Sequence, residues 1–250
     1  MSHNLFNIWL YSIAYFRKTM ATAAPPVSFS STKETANYAR LCHLLVEVGS
    51  CVLRNTFDKI NPPSDLHKHL KTHCATLQLL QKKKVLNPTQ WGKLYPAIPT
   101  SVSSKNFDIT LLTVLLRNIC SLSSPATGWD ALPPATDMST EADIARVKYF
   151  RNTVYGHAEK ASVDDATFHV YWQDIKDALV RLGGPAYEVA IDDLKNECMD
   201  PVFEEHYREL LKEWKRDDDN TKDKLDEIDR KLEELILKAS TSTPLPKGRF

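Results

Sequence analysis

Glycine is scarce in this chain of 250 residues: there are seven, at positions 49, 92, 128, 156, 183, 184 and 248, and no set of them makes GxGxxG or GxxxxGKS/T. The backbone cradles that hold dinucleotides and nucleotide phosphates are therefore excluded. The five cysteines (Cys42, Cys51, Cys74, Cys120, Cys198) are odd in number, scattered and without a CxxC pair, which reads as reduced thiols of an intracellular protein. Long apolar runs are also lacking. The longest near the N-terminus, LFNIWLYSIAYF at 5–16, is too short to span a bilayer as a helix, and no positive n-region precedes it. It reads as a weak signal peptide, an interfacial helix ending at Arg17 and Lys18, or an upstream extension with Met20 as an alternative start; no membrane partner is expected.

Excess charge of one sign is missing as well, with 32 Lys+Arg against 32 Asp+Glu, but the balance is uneven along the chain. Residues 20–185 carry 18 basic and 14 acidic side chains, and residues 186–250 carry 12 and 18. A mildly basic body with an acidic tail permits contact with an anion such as RNA without arguing for it.

What is present is helical periodicity. A composition 42% hydrophobic and 26% charged suits one globular domain with an extension. Leu41, Leu44, Leu45, Val48, Val52 and Leu53 predict a long helix over 33–59, stopped by Pro62 and Pro63. A second helix is predicted to open at Ser64 and to run through Leu66, Leu70, Leu77 and Leu80 to Lys82, Lys83 and Lys84. FDITLLTVLLRNIC at 107–120 is apolar nearly all round and predicts a buried central helix. The loop at 121–138, with GWDALPPATD, is too long for a passive connector. Capping boxes at Thr140/Asp143 and Ser162/Asp165 predict two more helices, the second ended by Gly183-Gly184-Pro185. The resulting expectation is an all-α, up-and-down helical bundle over 33–185 behind an N-terminal extension and linker (1–32). An acidic helical extension (186–240) and a disordered tail (241–250) follow. Within the extension, Leu225, Ile228, Leu232 and Leu235 are spaced 3, 4, 3 as in a short coiled-coil seam, which serves a homodimer, a partner helix or the chain's own body.

One short segment, RNTVYGH at 151–157, could carry chemistry. In an unbroken helix Arg151 and His157 would lie about 120° apart around the axis. A left-handed C-cap at Gly156 would let His157 swing back beside Arg151. An imidazole next to a fixed cation suits metal-free RNA cleavage, with His157 moving the proton and Arg151 holding the phosphate. One histidine cannot easily serve as both acid and base, so that reading calls for two copies in a dimer. The alternative is structural, with Arg151 capping carbonyls, Asn152 bonding to a loop and His157 satisfying a turn.

These residues resemble a known family. A helical body ending in RNxxxxH is similar to the HEPN domain. FDITLLTVLLRNIC, GWDALPPATD, EADIARVKYFRNTVYGHA and SVDDATF…YWQDIKDALVRLGG more closely resemble the HEPN domain of the DAZ-interacting zinc-finger ubiquitin ligases and their invertebrate relatives. The resemblance implies a dimerising helical bundle. Many such domains are metal-independent endoribonucleases, which would make Arg151, Asn152 and His157 catalytic here. Others are noncatalytic RNA-binding or interaction modules, often in proteins of ubiquitin transfer or innate-immune signalling. No RING pattern of Cys and His is present, so ligase activity is not implied.

Around this motif Lys82, Lys83, Lys84, Lys148 and Tyr155 are candidate contacts to single-stranded RNA. His67, His69, His73 and Cys74 cluster in DLHKHLKTHC, but HExxH is absent and no second ligand pair has zinc-finger spacing, so neither metal nor cofactor is expected. The reading is a cytoplasmic, dimeric, noncatalytic module for RNA or for signalling and ubiquitin-pathway proteins, with the metal-independent endoribonuclease as alternative.

Overall fold

A computed structural model of the chain describes residues 32–156 and 160–196, together with residues 205 and 209. Among the described residues there is no strand, and the architecture is all-α.

Helix α1 (Lys33–His43) starts at a reciprocal cap, in which Thr32 Oγ1 accepts from the Thr35 N–H and the Thr32 N–H donates to Thr35 Oγ1. It passes through a π-helical stretch (Leu44–Gly49) directly into α2 (Ser50–Ile60), where a single α-helix was expected. The predicted apolar stripe from Leu41 to Leu53 is buried throughout. The expected second helix is two, α3 (Leu66–Thr72) and α4 (Cys74–Lys82), bent at His73 while the His73-to-His69 and Leu77-to-His73 backbone bonds continue across the bend. It does not open at Ser64, whose hydroxyl bonds the Asp65 carboxylate instead of a backbone N–H. A short helix α5 (Pro88–Leu94), capped by Asn87 and Gln90, and two 3₁₀ turns lead to α6 (Ile109–Ile119). That segment is the buried helix its sequence predicts, capped by Asp108 Oδ1 on the Leu111 N–H at 2.8 Å.

Helix α7 (Thr140–Gly156) and helix α8 (Asp165–Gly183) form the most extensive pairing in the fold. The α7 cap lies one residue before its predicted box and the α8 cap two residues after its own. At α7 the Ser139 hydroxyl receives the Ala142 N–H at 3.2 Å, because the Asp143 carboxylate is turned inward to two arginines. At α8 Asp164 caps the Thr167 N–H at 2.9 Å, while Asp165 reaches Lys33 and Asn37 and ties α8 to α1. Trp172, Phe150 and Tyr38 are fully buried, and the equally buried Phe57 of α2 meets Phe107 edge-on with ring centroids 6.3 Å apart.

Gly184, at φ +100°, ends α8 with its N–H on Val180 O, and α9 (Ala186–Asn196) folds back against α8. The return needs a bare backbone at Gly183: a Cβ there would lie 2.6 and 2.8 Å from Tyr187 ring carbons and 3.1 Å from Val52 Cγ2. The Tyr187 ring is buried and its hydroxyl accepts from Asn55 Nδ2 at 2.8 Å, so it has little room to yield. Gly183→Ala is expected to cost about 1–3 kcal/mol through this overpacking. Urea melts read the loss, and a melting midpoint equal to wild type would show that α9 is only loosely docked.

Candidate functional site

The motif sits on the last turns of α7. Arg151 is 8% exposed, so its guanidinium is held rather than waving in solvent. Its Nη1 donates to Asn152 Oδ1 at 3.0 Å, and its Cζ lies over the Tyr155 ring, 4.6 Å from the centroid. The second contact is the i, i+4 geometry of a helix used as a cation–π stack. Gly156 is a helical residue and not the left-handed cap expected, since among the described glycines only Gly128 and Gly184 have positive φ. The helical bonding that lets Tyr155 sit one turn above Arg151 carries the chain through that position. His157 lies outside the described residues, as do Leu225, Ile228, Leu232 and Leu235.

Beside Arg151 a recess of about 60 Å³ opens between α6 and α7. Ile109, Thr110, Thr113 and Val114 supply its α6 wall, with Arg117 at the end, and Lys148, Arg151 and Asn152 supply the α7 wall. Lys148 and Arg151 come to one side by their i, i+3 spacing. The 121–138 loop folds over this edge. Its Asp130 carboxylate pairs with Lys148 through Oδ1 and with Arg117 through Oδ2, the latter at 3.4 Å, and the Lys148 ammonium also reaches Trp129 O at 3.5 Å. Lys148 first, then Arg117, hold the Asp130 carboxyl below the ordinary carboxylate range, so it is an anion at neutral pH. Arg146 Nη2 donates to Pro134 O farther along the loop, and Trp129 is buried. The loop that looked too long for a passive connector is thus pinned by cations of α6 and α7.

The structure therefore brings Arg151, Asn152, Lys148 and Tyr155 together and leaves Lys82, Lys83 and Lys84 away from the recess, at the end of α4, with Lys82 and Lys83 exposed. Sequence reasoning missed Arg117 and Asp130. Arg117 is the one charge in the otherwise apolar 109–119 helix, which was the available signal. In the histidine cluster the His69 and His73 rings lie 4.6 Å apart, and burial, then the neighbouring His73, push His69 below the usual imidazole value. No group of three or more His, Cys, Asp or Glu side chains able to hold a metal occurs among the described residues. No helix among them is long and apolar enough to cross a membrane.

A family model described as DZIP3/hRUL138-like HEPN matches residues 63–207, a span that contains every residue lining the recess. The E3 ubiquitin-protein ligase DZIP3 of Mus musculus is 30% identical over 149 residues, covering 58% of this chain and 12% of that protein. The E3 ubiquitin-protein ligase DZIP3 of Homo sapiens matches with the same identity and the same coverage. The chain thus corresponds to about an eighth of the length of these relatives. No solved structure matches it.

Proposed function

The chain belongs to the DZIP3/hRUL138-like HEPN family, and from that premise we propose that it is a noncatalytic module that holds single-stranded RNA by its phosphates. The carrying observation is the gathering of two arginines and a lysine, Arg117, Lys148 and Arg151, where α6 meets α7. Phosphate contacts of this kind position a strand without reading its sequence.

Two further parts of the reading rest on sequence. The 3, 4, 3 spacing of Leu225, Ile228, Leu232 and Leu235 supports pairing of two copies. The relatives' name, E3 ubiquitin-protein ligase, supports a place for the module among proteins of ubiquitin transfer.

The test is binding of labelled single-stranded RNA in EDTA by the full chain, beside Arg151→Met, which keeps an apolar stem in the buried position. Wild type is expected to bind without cutting, and Arg151→Met to bind about tenfold more weakly, the worth of one charge-assisted phosphate contact. Cleavage to 2′,3′-cyclic ends, lost in both Arg151→Met and His157→Ala, would replace this reading with the metal-independent endoribonuclease. Absence of RNA binding by wild type would leave the protein-interaction role alone.

A further inference from the structure

Between Asp58 and Asp108 the chain carries eight lysines and a single acidic residue, Asp65, whose carboxylate is already matched to Lys68 at 2.9 Å. This stretch builds α3, α4 and α5. Lys71, Lys82 and Lys83 are exposed and make no ion pair among the described residues. The backbone bonds that run across the bend at His73 keep α3 and α4 in helical register. Lys71 and Lys82, eleven residues apart, therefore lie about 20° from one another around the helix and about 16 Å along it. Leu79, 57% exposed, comes to the side of Lys82 and Lys83 by i, i+3 and i, i+4 spacing. Thr72, Ala75 and Thr76, small and exposed, occupy the turns between. The result is an outward face with cations at both ends, an aliphatic side chain on it and small residues that let another helix lie close.

A partner for this face must carry anions that reach both lysine ends and an apolar side chain for Leu79. RNA supplies the anions but no aliphatic group. The chain's own acidic extension supplies both: residues 217–235 hold nine acidic against four basic side chains, a net charge of −5, and Leu225, Ile228, Leu232 and Leu235 recur at 3, 4, 3. Asp226, Asp229 and Glu233, at i, i+3 and i+7, fall along one flank of that stripe. Two such segments side by side would set like charge against like, whereas the lysine face reverses the sign. Helix α9 packs on α8 and on the π-helical stretch, and no extensive pairing joins it to α3 or α4, so the chain does not leave α9 beside the lysines. A second copy can bring its segment to them directly.

We propose that two copies pair by exchange, the acidic leucine segment at 223–235 of each lying on the α3–α4 lysine face of the other. Each copy brings one face and one segment, so the exchange is reciprocal and closes at two copies. The proposal rests on the pairing of copies in the reading above and gives that pairing its surface, while the cations around Arg151 are left to RNA. Exposed ion pairs are individually weak and screened, so the pairing weakens as salt is raised.

Sedimentation velocity reads the pairing of three full-length proteins: wild type, the face variant Lys71→Glu/Lys82→Glu/Lys83→Glu, and the segment variant Asp226→Lys/Asp229→Lys/Glu233→Lys. Circular dichroism and thermal melts close to wild type certify that each is folded. Wild type is expected to pair, and each variant alone to pair about tenfold more weakly, the loss expected for three exposed ion pairs. An equimolar mixture of the two variants should recover the pairing of wild type, because each segment then meets a face of opposite sign. Loss in both variants with no recovery on mixing overturns the exchange. Pairing of either variant alone with wild-type affinity overturns the proposal and leaves the pairing of copies intact. If the face variant also binds single-stranded RNA more weakly while its pairing is unchanged, the lysine face belongs to RNA. A wild type that stays monomeric at every salt concentration removes the pairing reading and the proposal together.

Discussion

Asp143→Ala is expected to lower the unfolding free energy by about 3–5 kcal/mol, the range for removing one partner from a buried charge cluster. The Asp143 side chain is 1% exposed and receives three hydrogen bonds: Arg146 Nη1 on Oδ1 at 2.6 Å, Arg181 Nη2 on Oδ1 at 2.6 Å and Arg181 Nε on Oδ2 at 2.8 Å. Alanine would leave the Arg146 guanidinium, itself 5% exposed, without its counter-charge in the interior. Arg181, with 32% of its side chain exposed, can turn to water, so Arg181→Ala should cost distinctly less. The penalty comes from the stranded charge, and it should shrink when the charge goes too: Asp143→Leu/Arg146→Met should recover part of what Asp143→Ala loses. Urea titration of the three proteins decides the matter. Equal stability of Asp143→Ala and wild type would mean that the cluster contributes nothing net. Arg146 also holds Pro134 O, so Asp143→Ala is further expected to loosen the 121–138 loop and speed amide exchange there.

The same cluster explains why one predicted cap lay in the wrong place. A Thr followed three residues later by Asp satisfies the capping pattern, but sequence cannot say that this Asp is wanted by two arginines, one of them 38 residues downstream. Serine at 139 then takes the role, and its neighbour made the two frames indistinguishable in one dimension. Asp164 and Asp165 repeat the case, with one acid capping its own helix and the other crossing to α1. Helix existence was far more legible. Apolar side chains at spacings of three and four identified α1 with α2, a segment apolar nearly all round marked α6, and capping boxes ahead of apolar positions marked α7 and α8. The π-helical stretch at 44–49 leaves no mark in such a pattern, since widening a turn by one residue keeps leucines on the buried side. Helix α5 was passed over despite Asn87, Pro88 and Gln90 at its start: seven residues with Trp91 and Leu94 carry too short a period to register.

For the site, the line of legibility runs between one helix and two. Lys148, Arg151, Asn152 and Tyr155 could be grouped beforehand because they share a helix and spacings of three and four dictate which side chains meet. Arg117 lies 34 positions before Arg151 and Asp130 sits on a loop, so their approach depends on how α6 packs against α7. Gly156 shows the reverse error. A glycine near a helix end invites a left-handed cap, yet nothing in the local sequence forbids one more helical residue.

Trp172→Ala is the other large effect, expected to cost about 3–5 kcal/mol through lost burial and the cavity left behind. The side chain is fully buried and its ring lies 5.3 Å from that of Phe168 on the same helix. Its indole Nε1 is buried without a hydrogen-bond partner among the described residues. That orphan donor already costs the wild type about 1–3 kcal/mol. Trp172→Phe, which removes the donor with part of the ring, should therefore lose less than half of what alanine loses. Positions 172 and 181 are nine residues apart on α8, about 13 Å along the axis. Effects at such separations add. Each single variant should fold, while Asp143→Ala/Trp172→Ala, at about 6–10 kcal/mol, would consume most or all of the 5–15 kcal/mol a domain possesses and should be unfolded in dilute buffer. A double variant retaining the far-ultraviolet dichroism and cooperative melt of wild type would show that α8 is held by contacts other than these two.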